Sequence, residues 1–212
     1  MSTGTSPCTS EGNRRPHIGW GIALLIVIAL SGNSCSLFDT RDPEPPSQSG
    51  SDFTPPNLPS DVITNLKNAI AQKNAVNYIR CFSDSTTIEL PFVFTPSATA
   101  RTSYPGAFDD WTKAKEETHI KDLISHKPSP TSYSNLLTTG DQFLPQGDVT
   151  IFTAGYIFSF DTDDPTFPES ARGRLQFILH RDRSSFWVIT DWTDSPEIDS
   201  VYTWSHFKGR FH

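Results

Sequence analysis

The 212-residue sequence has only three cysteines and one methionine. Three cysteines cannot build a disulfide framework, so the fold must rest on its own core. There is no basic surplus either: 17 Lys and Arg stand against 24 Asp and Glu, a net charge of −7. A chain that neutralises phosphates needs the opposite balance, which argues against nucleic acid as a partner. No apolar run reaches the roughly 20 residues needed to span a bilayer. G-x-S-x-G, P-loop, G-x-G-x-x-G, H-E-x-x-H and C-x-x-C motifs are all missing. That disfavours the common hydrolase, nucleotide and zinc chemistries, and no cofactor or metal is expected. Apolar residues make up only 35%, slightly few for a compact chain of this length, so part of it is expected to lie outside any core.

What is present begins with an address. Arg14 and Arg15 flank a charge-free stretch from Ile18 to Leu30, and small and polar residues then lead to Cys35. Basic flank, short apolar core and small-residue exit are the parts of a secretory signal. The alternative is a buried core helix. A cysteine placed just past such a stretch resembles the lipobox of bacterial lipoproteins, with Ser34 before it fitting and Gly32 departing from the usual aliphatic residue. The resemblance implies a signal over 1–34 and lipid on Cys35, hence a domain held at a membrane in the bacterial cell envelope, outside the cytoplasm. An uncleaved anchor is the variant that Gly32 leaves open.

Residues 35–59 read as a tether: from Ser36 to Pro59 there are six Pro, four Ser and one Gly. Such a composition cannot bury enough apolar surface to offset ordering entropy, and its prolines favour extended conformations. With Cys8 in the leader and Cys35 acylated, Cys81 is the one thiol left to the domain. It sits in a helix-like run and reads as a small buried hydrophobe, with no base nearby to activate it.

From Ser60 to His212 the texture is that of one domain. Ser60 is a candidate N-cap, and Val62, Ile63, Leu66, Ala69 and Ile70 recur at helical spacing. Asn74 caps a second run through Phe82. Ile88, Leu90, Phe92 and Phe94 alternate as one face of a strand, with Pro91 suggesting an edge or a bulge. A loop over 95–108 leads to a third helix, capped by Asp109 or Asp110 and ending near His126, whose charged middle (KAKEE) and His119 are expected to be exposed. Four strands come next, at about 132–139, 147–160, 171–181 and 185–193, with a turn at Gly140-Asp141 after the first. Helices first and a strand meander afterwards give an α+β fold.

The order of two helices, a strand, a third helix and a long meander resembles the NTF2-like (SnoaL-like) cone. NAIAQKNAVNYIRCFSDSTTIELPFVFTP is similar to that family's opening helices and first strand, and GRLQFILHRDRSSFWVITDWTD to its closing hairpin. The resemblance implies helices packed on a curved antiparallel sheet with a pocket between them. The segment SVYTWSHFKGRFH lies beyond the usual cone, where Val201, Trp204, Phe207 and Phe211 are available to cover a sheet edge or face.

Fold alone does not choose a function here. Asp191, alternating with Trp187 and Ile189, is the candidate inward carboxylate for acid–base work, with His180 or Tyr156 as its partner. The competing reading makes Asp191 and His180 solvent-facing and Tyr156 an aromatic with a wet tip. Trp111, Phe158 and Trp192 are candidate pocket-lining residues or core aromatics. Asp161, Asp163 and Asp164 read as an exposed hairpin tip rather than a calcium loop, and Asp194, Glu197 and Asp199 as a solvated rim. The leading expectation is a non-catalytic domain that binds a small apolar ligand or an envelope protein. An isomerase or dehydratase-type enzyme and a structural envelope protein are the alternatives.

Overall fold

The computed structural model describes residues 53–212. The signal over 1–34, Cys35 and most of the tether lie outside the described residues. The chain is already docked at Phe53, before the expected boundary at Ser60. The Arg80 guanidinium sits 3.8 Å above the Phe53 ring. Asn65 clasps Thr54 through both its backbone groups, at 3.0 and 2.7 Å, and Trp187 N–H donates to the Pro56 carbonyl.

The architecture is α+β, with N-terminal helices packed on a mixed, mostly antiparallel five-stranded sheet. Helix α1 (Pro59–Ala71) opens with Pro at its first position, where a missing N–H costs nothing. Asp61 rather than Ser60 serves its start, accepting from the Leu58 N–H at 2.8 Å. Its stripe Val62, Ile63, Leu66, Ala69 and Ile70 is buried. Helix α2 (Ala75–Ile79) is capped by Asn74 as its sequence suggests. Strand β1 (Val93–Thr95) is shorter than the alternation over 88–94 implies. The Thr87 and Ile88 N–H groups both turn back to the Asp84 carbonyl, and Pro91 has no N–H to offer a ladder. Helix α3 (Ala98–Ser103) occupies the expected loop, capped by Ser97. Helix α4 (Lys113–Ser125) is capped by Thr112, not by Asp109 or Asp110.

Strands β2 (Ser134–Gln146), β3 (Val149–Phe160), β4 (Ser170–Arg181) and β5 (Trp187–Ser195) form the meander. Strand order is β1-β5-β4-β3-β2, and β1 runs parallel to β5, so the sheet is not wholly antiparallel. The expected turn at Gly140 is a bulge: the register shifts between Thr139 and Gln142, Gly140 takes φ +64°, and β2 continues to a hairpin at Gly147. On the inner face of β3, Thr150, Phe152, Ala154, Tyr156, Phe158 and Phe160 are all buried.

A second bulge decides the last strand. Ile178 pairs with Asp191 but Leu179 pairs with Ile189, so Thr190 is the extra residue. One added residue moves the rest of the strand to the opposite face. Trp192 and Asp194 therefore point inward, opposite Phe177 and Leu175, and Asp191 does not.

The C-terminal segment forms helix α5 (Trp204–Arg210), which lies over the inner face of the sheet. Trp204 stacks on Phe158, with centroids 4.1 Å apart and planes 7° from parallel, and meets Trp192 edge-on at 4.6 Å. Phe207 packs edge-on to Phe158 and Phe167. Trp204 and Phe207 are fully buried and Phe211 nearly so, while Val201 is exposed. Each such aromatic contributes roughly 1.5–3 kcal/mol by leaving water. The terminus is also clasped from outside: Arg210 pairs with Asp164 at 2.6 Å, and His126 rests against the Phe211 ring. The acidic tip thus includes a latch for the C-terminal helix.

Candidate functional site

Two polar clusters are buried in the interior. The first surrounds Asp194, 2% exposed. Tyr156 donates its hydroxyl to Asp194 Oδ1 at 2.7 Å. The Ser205 N–H and hydroxyl both donate to Asp194 Oδ2, and the Trp204 N–H donates to the Tyr156 oxygen at 2.7 Å. A carboxylate at the start of α5 satisfies donors that a helix leaves open. Burial pushes Asp194 up from its ordinary value, while the hydrogen bonds from Ser205 and Tyr156 pull it back. Burial raises Tyr156 well above the usual phenol, with Asp194 adding to the effect. The approach is so close at Gly173 that a Cβ would lie 2.5 Å from the Ser195 carbonyl and 2.8 Å from the Tyr156 hydroxyl.

The second cluster surrounds Glu116, which is fully buried. Tyr78 donates to Oε1 at 2.6 Å and Trp111 Nε1 to Oε2 at 2.7 Å. The Lys208 ammonium of α5 contacts both oxygens. It also lies 4.4, 5.4 and 4.0 Å from the ring centroids of Phe94, Trp111 and Trp192. Burial alone would raise Glu116, but Lys208 and the hydrogen bonds hold it below its ordinary value. Burial brings Lys208 down to about 8 against the pull of Glu116. His119 is buried beside them and donates from Nδ1 to the Phe211 carbonyl at 2.6 Å; burial lowers it to about 3, so it is neutral.

The sequence candidates divide between the two faces of the sheet. Asp191 and His180 lie half-buried on the outer face, away from Tyr156, because the Thr190 bulge turned Asp191 outward. They are joined there by one hydroxyl: Thr190 Oγ1 is 2.8 Å from His180 Nδ1 and 2.8 Å from Asp191 Oδ2. Tyr156 is on the inner face with its tip dry rather than wet. Trp111, Phe158 and Trp192 do line the interior, but α5 fills the space they enclose. Cys81 is buried with its thiol facing the Asn77 carbonyl, and burial raises its pKa.

Three expectations of exposure fail. Asp194 is not a rim residue, and Glu116 and His119 are not solvent-facing. The signal for α4 was in the spacing: Glu116, His119, Ile120 and Leu123 recur at helical intervals. Among the described residues, no group of three His, Cys, Asp or Glu could hold a metal. Clefts of about 650 Å³, beside Phe92 and Lys113, and 440 Å³, beside Arg172 and Arg174, open at the surface, and neither is lined by Glu116, Tyr156 or Asp194.

No protein-family model matches the sequence, and no curated protein does. Solved structures do resemble the chain. An NTF2-like superfamily protein from Salmonella enterica is 12% identical, covering 66% of this chain and 90% of its own, with a TM-score of 0.48. An NTF2-like protein from Cytophaga hutchinsonii is 10% identical over 65% and 94%, with a TM-score of 0.45. A ketosteroid isomerase-like protein from Erwinia carotovora atroseptica is 10% identical over 67% and 92%, with a TM-score of 0.46. The chain is similar in fold to NTF2-like proteins. At these identities the likeness concerns fold and carries no activity across.

Proposed function

We propose that this chain is an exported lipoprotein, tethered to the envelope membrane through Cys35, whose domain binds a protein partner rather than catalysing a reaction. One observation carries the non-catalytic part. The chain's own C-terminal helix occupies the interior, and both interior carboxylates are committed to it. An acid or base must reach a substrate proton within hydrogen-bond distance, and here that distance is already taken by Ser205, Tyr156 and Lys208. Trp204, Phe207 and Lys208 of that helix pack on the interior rings of Phe158, Trp192 and Phe94, which favours recognition at the outside. The outer strand β2 supports this: it is an edge strand of 13 residues, with Leu137, Phe143 and Leu144 exposed along it. Edge strands with apolar side chains are natural places for another chain to add.

Native mass spectrometry of the protein purified from its own membrane tests the reading. A stoichiometric protein partner, lost in a Leu144→Lys variant, is the expected result. A small molecule retained in place of any protein would overturn it. Tethering is tested separately with a lipid analogue: label should enter the unsubstituted chain and not Cys35→Ser. Continued incorporation in that variant would end the lipoprotein proposal.

A further inference from the structure

We infer that the cage around Glu116 is a recognition site for an unbranched primary ammonium, with the chain's own Lys208 as its resident ligand. Every receptor group comes from outside α5. The carboxylate is Glu116 of α4, set in place by Tyr78 of α2 and by Trp111 before α4. The rings come from Phe94 of β1, Trp111 and Trp192 of β5. Helix α5 contributes the ammonium and its carbon stem. Both oxygens of Glu116 face the cation, and three π faces surround it at a depth that excludes water, where cation–π attraction is strongest. The compact head and three donors of an ammonium suit a carboxylate ringed by aromatic faces.

A purely space-filling role would not call for such a site. Buried ion pairs seldom stabilise more than apolar residues of the same volume, and their best-attested use is to specify which group goes where. The cage is therefore a selective receptor built into the interior, independent of any binding at the β2 edge. Because its specificity resides in fixed groups, the covalent link to the ligand is dispensable.

The test uses the full chain with Lys208→Ala, which removes the atoms from Cγ to Nζ and leaves a space shaped like n-propylammonium. Thermal unfolding is monitored as n-propylammonium chloride is titrated, against sodium chloride at equal ionic strength and against n-propanol. The expected result is a saturable rise in Tm of at least several degrees with propylammonium alone, as for any ligand that binds only the native state. The rise should vanish in Lys208→Ala/Glu116→Gln and be missing from the unsubstituted chain, whose cage is filled. An equal response to propanol or sodium, no response, or a response that survives Glu116→Gln overturns the inference. If Lys208→Ala does not fold unaided, refolding yield from urea reads the same site. Recovery with propylammonium only supports it, and no selective recovery refutes it.

Discussion

Replacing Lys208 by Met keeps an unbranched apolar stem, one atom shorter, and removes the charge. Glu116 then remains at full burial with Tyr78 and Trp111 still donating to it, but without its counter-ion. Breaking one side of a buried pair leaves an uncompensated charge and costs about 3–5 kcal/mol. Glu116→Gln strands the ammonium instead, and the cost is of the same order. The double variant Glu116→Gln/Lys208→Met removes both charges. What it keeps is one imperfect exchange, because the amide NH₂ now meets one of the two donors, Tyr78 or Trp111, at a cost of about 1–3 kcal/mol. The double variant should therefore be more stable than either single one, a coupling of several kcal/mol. Against a domain stability of about 5–15 kcal/mol, the single variants should unfold at clearly lower urea and the double near the original midpoint. Urea unfolding of all four proteins is measured at pH 7, below the value of about 8 for Lys208, so that the pair of the unsubstituted chain is charged. If the double costs the sum of the singles, Glu116 and Lys208 do not act as a pair and the reasoning fails.

Asp194→Ala should strand the Tyr156 hydroxyl and the Ser205 donors, costing about 2–5 kcal/mol. Hydrogen exchange should then speed up over Trp204–Arg210 ahead of β3 and β4; unchanged protection of α5 would contradict its anchoring. His119 takes a proton only near pH 3 when folded, against 6.5 for its ordinary value. The unfolded chain thus binds one more proton between those values, and this residue makes stability fall as pH drops from about 6.5 to about 3, by up to ~1.4 kcal/mol per unit. His119→Gln should flatten that slope, and an identical acid-unfolding profile in the variant would refute the assignment. Gly173→Ala drives a methyl group against the Ser195 carbonyl and the Tyr156 hydroxyl; a loss of about 1–3 kcal/mol is expected by urea titration, and a neutral result would show that the close approach can relax.

Much of the architecture was legible because it depends on local periodicity. Period two marks the inner face of β3, and helical spacing marks the buried stripe of α1. What escapes are features with no local signature. The Thr190 bulge is one extra residue in a strand whose residues on both sides look alike, yet it moves Asp191 out and Asp194 in. Gly140 reads as a turn in the sequence, and only the partners that β3 offers on both sides of it make it a bulge. Glu116 and His119 read as solvent-facing because isolated polar and charged groups belong there. Their partners inside, Lys208 for Glu116 and the Phe211 carbonyl for His119, each lie 92 residues away.

The shortage of cysteine and basic charge, with the signal-like start, carries only expectations about destination and partners, because such expectations rest on composition and short segments. An interior filled by α5 and wired through Asp194 and Glu116 is decided only in three dimensions. The energy of a buried charge depends on what the distant chain brings beside it, and no window of sequence contains both.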